Sequence, residues 1–186
     1  MKHSIEKIIR VSDAQAAFWK NSHGWAPLAA ANLLSKSRLD RQCALARTLR
    51  DYLRKPSPDE EDARLILGYV TLRALCEGVI KLTFSIWYCD YQKDVNALKE
   101  RNGKVQDPDG ATFNPLIDLY QKKFTAKWTP FFRRIQTRGN AIHAFKDRPL
   151  GSFSELQEAI EEFKEFLIDA DSQLPYPDDD FASGRA

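Results

Sequence analysis

The segment from Leu65 to Trp87 constrains this chain more than any other. Placed on a helix, its apolar side chains fall on nearly every face, the pattern of an element surrounded by others. Arg73, Glu77 and Lys81 interrupt it, and three charges at the centre of an apolar stretch argue against a membrane span. The acidic run Asp59-Glu60-Glu61-Asp62 comes just before, where negative charge complements the positive end of a helix dipole. That run reads as a solvated helix start rather than a catalytic carboxylate cluster. A long central helix reaching about Leu98 must be wrapped by others, which predicts an all-α fold, a bundle of five to seven helices.

The rest of the chain supplies the wrapping. Ser4 can cap a first helix to about Lys20, with a break at His23-Gly24 and a shorter helix after Pro27. Arg38 to Leu53 reads as a helix stopped by Lys55-Pro56-Ser57-Pro58. Beyond a turn-rich loop from Asn102 to Gly110, Asn114-Pro115 offers a cap and a first-turn proline for a helix to about Phe124. Trp128 to about Phe145 is the next helix, broken between Lys146 and Gly151, and Ser152 or Ser154 caps the last, which ends near Asp171. Residues 1–172 are expected to form one helical domain, and residues 173–186 a polar, acidic, disordered tail.

Composition removes whole classes of function. Glycine and proline number 8 and 9 in 186 residues, too few for a turn-rich β architecture or a low-complexity chain. Cys43, Cys76 and Cys89 form no CxxC pair and are odd in number, which argues against a disulfide framework or a cysteine zinc site and fits a reducing cytoplasm. Glu6, Lys7, Arg10 and Asp13 interrupt the N-terminal stretch, so it lacks the apolar core of a signal peptide. No GxGxxG, GxxxxGK[ST], GxSxG or HExxH spacing occurs, and no cofactor is expected. With His3, His23 and His143 the only histidines, a histidine-rich metal centre is disfavoured, although carboxylates alone can hold magnesium.

The net charge of +2 hides an asymmetry. Residues 1–149 hold 26 basic and 16 acidic side chains, residues 150–186 only 2 basic and 10 acidic. Within the basic part, the run Trp128 to Phe145 stands out. On a helix, Phe131, Ile135, Ile142 and Phe145 share one narrow stripe, and Arg138 falls in its middle. An arginine on an apolar face must find a partner, because an unpaired buried charge is costly. Glu77 on the central helix is one candidate, which would make Arg138 structural or hold it in place for chemistry; the other reading of Glu77 is an ordinary helix-surface pair with Arg73 or Lys81, four residues to either side. Gly139 lets a phosphate or a second backbone come close, and Asn140 can orient a nearby imidazole or bond a ligand. Histidine suits proton transfer near neutral pH, and arginine's fork of donors fits phosphate oxygens. His143 and Arg138 together have the chemistry to cleave RNA without a metal.

At these residues the sequence resembles the HEPN superfamily, helical domains that include metal-independent RNases of toxin–antitoxin, abortive-infection and CRISPR-type defence systems. The resemblance rests on Arg138-Gly139-Asn140-Ala141-Ile142-His143, an arginine and a histidine with four residues between, continuing as Ala144-Phe145. It implies that Arg138 and His143 form a catalytic pair, which Asn140 and Glu77 would support through the residue chemistry given above. It also implies a homodimer whose two copies face one cleft, and an antitoxin or defence partner. Two positions depart from the family: Gly139 stands where a polar residue commonly follows the arginine, and Phe145 where many members have tyrosine. The missing hydroxyl puts inhibition by modification of that tyrosine in doubt.

Arg133, Arg134 and Lys146 are the nearest candidates for holding an RNA backbone, with Lys122, Lys123, Lys127 and Arg148 around them. A solvated helical surface explains the same charges equally well. Trp128, Phe131 and Phe132 read as core or dimer interface before they read as base-stacking platforms. Two other functions stay open: a non-catalytic HEPN-like module that binds nucleotide, RNA or a protein partner, and a helical interaction protein in which the Arg-x4-His spacing is accidental.

Overall fold

In the computed structural model the apolar segment is an α-helix of 26 residues, Glu61–Ile86, with Glu61 and Asp62 in its first turn. The structure describes residues 1–143 and 147–176. In chain order these form α1 (Lys2–Trp19), α2 (Leu28–Lys36), α3 (Leu39–Thr48), α4 (Glu61–Ile86), α5 (Tyr88–Lys93), α6 (Phe113–Lys123), α7 (Thr129–Gly139) and α8 (Phe153–Asp171). The described residues contain no strand, only an isolated bridge between Lys99 and Val105. The all-α expectation with a long central helix holds. No helix among the described residues is long and apolar enough to cross a membrane.

Several helix boundaries differ from those the sequence predicts. The long helix does not run on to Leu98: it breaks at Trp87 (φ −85°, ψ 28°), and the short α5 that follows raises the count among the described residues to eight. Ser4 is not a cap, since α1 starts at Lys2 and buries Ser4 inside its first turns. Thr112, not Asn114, precedes the first residue of α6, and the Asn114 side chain instead accepts a hydrogen bond from Arg133. Ser152 does cap α8, in a capping box with Glu155.

α4 is the axis, and α2, α3, α6, α7 and α8 all pack on it, while α1 lies against α3 and α8. Leu72, Leu75, Cys76 and Ile80 of α4 are fully buried in one continuous core with Ile5 and Ile8 of α1, Leu156 and Phe163 of α8 and Ile135 of α7. A smaller cluster joins Trp19, Leu34, Leu82, Ile86 and Leu174. α1 and α8 also share a polar clasp. The buried Gln15 Nε2 donates to Asp171 Oδ1 at 2.9 Å, and Trp19 Nε1 donates to the Tyr176 hydroxyl at 3.3 Å. The expected disordered tail is therefore overturned for its first residues: Leu174 is buried and Tyr176 is bonded, because both complete the apolar cover of Trp19. Residues 177–186 lie outside the described residues.

Candidate functional site

Trp128 stands at the N-cap of α7 and Pro130 in its first turn, where the proline's missing N–H costs nothing. Phe131, Phe132 and Ile135 then face the core. The Phe132 ring meets Phe166 edge-on at 4.7 Å, and the Trp128 indole donates to Asp169 Oδ2 at 2.6 Å. These aromatics are core, as their spacing indicated.

The helix does not reach Phe145. It ends at Gly139, and Asn140–Ile142 make a single 3-10 turn before His143 leaves in extended backbone. Glycine is about 1 kcal/mol worse than alanine inside a helix, but here its missing side chain is used. A Cβ at Gly139 would stand 3.2 Å from the Tyr69 carbonyl oxygen and 3.3 Å from Arg73 Cδ. The close approach at Gly139 is made by a second backbone, that of α4 at Tyr69. The changed pitch also takes Ile142 off the expected stripe, leaving it 50% exposed. Phe145 and Lys146 lie outside the described residues.

Arg138 does have partners, but not Glu77. Its Nη1 donates to the Tyr69 hydroxyl and its Nη2 to Glu155 Oε1 at 2.5 Å. Glu77 binds Lys81 instead, at 2.8 Å. The reason is position along α4: Tyr69 lies where α7 crosses, and Glu77 is eight residues, about 12 Å, further on at about 1.5 Å per residue. Glu155 also accepts the Ser152 backbone N–H at 2.7 Å, so one carboxylate both caps α8 and holds Arg138. Those two contacts, the arginine first, hold its carboxyl at about 2. Burial alone would lower the Arg138 pKa, but the bonds to Glu155 and Tyr69 outweigh it and raise it. Burial pushes the Tyr69 phenol up, with Arg138 opposing. Gly151, at φ +77°, closes the arrangement, since a Cβ there would stand 2.8 Å from the guanidinium carbon. The Arg138 side chain is left 14% exposed.

On the other side of Gly139, Asn140 Oδ1 accepts Arg73 Nη1 at 2.6 Å, and its backbone carbonyl accepts the His143 N–H at 3.2 Å. Asn140 therefore ties α4 to the segment carrying His143, rather than orienting the imidazole through its side chain. His143 is exposed. Arg73 is partly exposed and has no carboxylate partner among the described residues.

Two of the basic residues expected to hold RNA, Arg133 and Arg134, are engaged by carboxylates. Arg133 pairs with Asp118 at 2.5 Å and bonds Asn114, and Arg134 pairs with Glu162. These are neighbours brought up by α6 and α8, which chain order alone does not reveal. Sequence reasoning missed Tyr69, Arg73 and Glu155 as site residues. Only Glu155 left a trace, in the Ser152-x-x-Glu155 capping spacing. Among the described residues, no three histidine, cysteine, aspartate or glutamate side chains gather as a metal site. No family model, no curated protein and no solved structure matches this chain.

Proposed function

We propose that this chain is a HEPN-like, metal-independent endoribonuclease that works as a dimer in a toxin or defence role. The observation that carries this reading is the end of α7, where an exposed His143 follows, five residues on, an arginine already oriented by Tyr69 and Glu155. In the proposed reaction the His143 imidazole takes the proton of an RNA 2′-hydroxyl. The 2′-oxygen attacks the adjacent phosphorus, a 2′,3′-cyclic phosphate forms, and the 5′-oxygen leaves with a proton from the imidazolium of the second copy. Arg138 keeps N–H donors beyond the two in use, and a preorganised donor is the kind that stabilises charge developing on phosphate.

A second reading is favoured by one contact. Glu155 already occupies part of the Arg138 fork, as a phosphate would, which suits a module that binds without cutting. The two separate in one experiment. RNA incubated with the protein in excess EDTA is cut under the first reading, and His143→Ala abolishes the cutting. Binding without cutting by the wild type supports the module. If RNA is neither bound nor cut, the chain is a helical interaction protein.

A further inference from the structure

We propose that Arg73, which lies outside the Arg-x4-His motif, is a phosphate-binding residue of this site and supplies the positive charge that faces an RNA backbone. The inference rests on the RNA-directed reading above and extends it to a residue on a different helix.

Three observations lead there. First, the charge of Arg138 is offset within the chain by Glu155, and Gly151 lies over its guanidinium. The likewise motif-adjacent Arg133 and Arg134 are offset by Asp118 and Glu162. A polyanion meeting this end of α7 therefore finds little uncompensated charge on α7 itself. Second, Arg73 differs from all three. Its partner is the neutral Asn140 amide, the acid four residues on, Glu77, is engaged by Lys81, and no carboxylate among the described residues reaches it. Third, Asn140 holds Arg73 by its side chain and His143 by its backbone carbonyl, so one residue sets both relative to each other. The planar fork presents five N–H donors, and one bond to Asn140 leaves four for phosphate oxygens. The bond to Asn140 removes rotamer freedom before any ligand arrives, which lowers the entropic cost of the contact.

The test uses the His143→Ala protein, so that RNA is bound but not cut, and a fluorescent single-stranded RNA oligonucleotide titrated across a range of salt. Arg73→Gln keeps a donor for Asn140 while removing the charge. It is expected to weaken binding by about tenfold and to reduce the slope of log affinity against log salt by about 0.7, the value for one lost phosphate contact on a single strand. Arg73→Lys keeps the charge and is expected to restore the slope. Arg101→Gln, in the exposed loop between α5 and α6, is a control of equal charge change and is expected to alter neither. If Arg73→Gln behaves like Arg101→Gln while RNA binds normally, Arg73 is not a phosphate ligand and the RNA-directed reading stands without it. If Arg73→Lys loses the slope as Arg73→Gln does, the effect is structural and the proposal falls. If neither His143→Ala nor the wild type binds RNA, the RNA-directed reading fails and this inference fails with it.

Discussion

Two arginines cross the junction of α4 and α7 in opposite directions, with Gly139 between them. Arg138 leaves α7 for Tyr69 on α4 and ends against Glu155 beneath Gly151. Arg73 leaves α4 for Asn140 just beyond α7 and ends at an amide. The first side of the crossing is closed by a carboxylate and a loop; the second is open among the described residues, where Arg73 is partly exposed and His143 exposed. The contrast teaches that an arginine's place in a motif says little about its electrostatics. Its charge is available to a ligand only where the fold has not supplied a carboxylate for it, and chain order does not show where that happens.

The largest expected effect comes from removing what both sides stand on. Phe132 is 1% exposed and packed edge-on against Phe166 at 4.7 Å, so Phe132→Ala should cost about 3–5 kcal/mol in urea unfolding. Nucleic-acid binding should suffer along with stability. A loss below about 1 kcal/mol would mean that α7 is not anchored through this ring.

The next comparison is between the arginines themselves. Arg138→Ala removes a bond to the buried Tyr69 and a packed stem, and should cost about 2 kcal/mol. Arg73→Ala removes a half-exposed bond to a neutral amide and should cost about 1 kcal/mol or less. Equal losses in denaturation would erase the distinction between a closed and an open side.

Acid should act on the closed side alone. Glu155 titrates at about 2 in the fold against an ordinary 4.5, so its contribution is fully present above pH 4.5 and is lost as pH falls toward 2. The melting temperature of the wild type should therefore fall more steeply over that window than that of Glu155→Gln, whereas Arg73→Gln should keep the wild-type slope. Parallel wild-type and Glu155→Gln curves would show that the Arg138–Glu155 contact does not persist in solution.

The smallest change probes the crossing point. Gly139→Ala gains about 1 kcal/mol of helix propensity, opposed by crowding at 3.2 Å on the Tyr69 carbonyl and 3.3 Å on Arg73 Cδ. The net change in stability should stay within about 1 kcal/mol. Because the Arg73 stem is what must give way, RNA affinity should move more than the melting temperature does.

Much of the bundle was legible because it rests on local chemistry. The apolar run of α4, the Lys55-Pro56-Ser57-Pro58 stop after Leu53 and the Ser152 cap of α8 each mark a helix or its end in a way that needs no tertiary knowledge. The site was legible only as a string. That Arg138 needed a partner followed from its place among Phe131 and Ile135. Which partner it took depended on the level at which α7 crosses α4, and that put Tyr69 and Glu155 in reach and Glu77 out of it. The end of α7 was misplaced for a related reason: Gly139 reads as a tolerated break in a helical pattern until the Tyr69 carbonyl is seen against it. Arg133 and Arg134 looked like a binding surface because Asp118 and Glu162 are 15 and 28 residues away in sequence.

The clasp between α1 and α8 bears on how the chain is made. Gln15 and Asp171 are 156 residues apart, so at a synthesis rate of about 5–20 residues per second the partner of Gln15 arrives roughly 8–30 s after it. Throughout that interval the flank of α1 destined for α8 has no cover, and a nascent chain paused before Phe153 exposes it for as long as the pause lasts. α1 is thus sheltered on its α3 flank long before its α8 flank is covered, which makes that second flank the natural place for a chaperone to act.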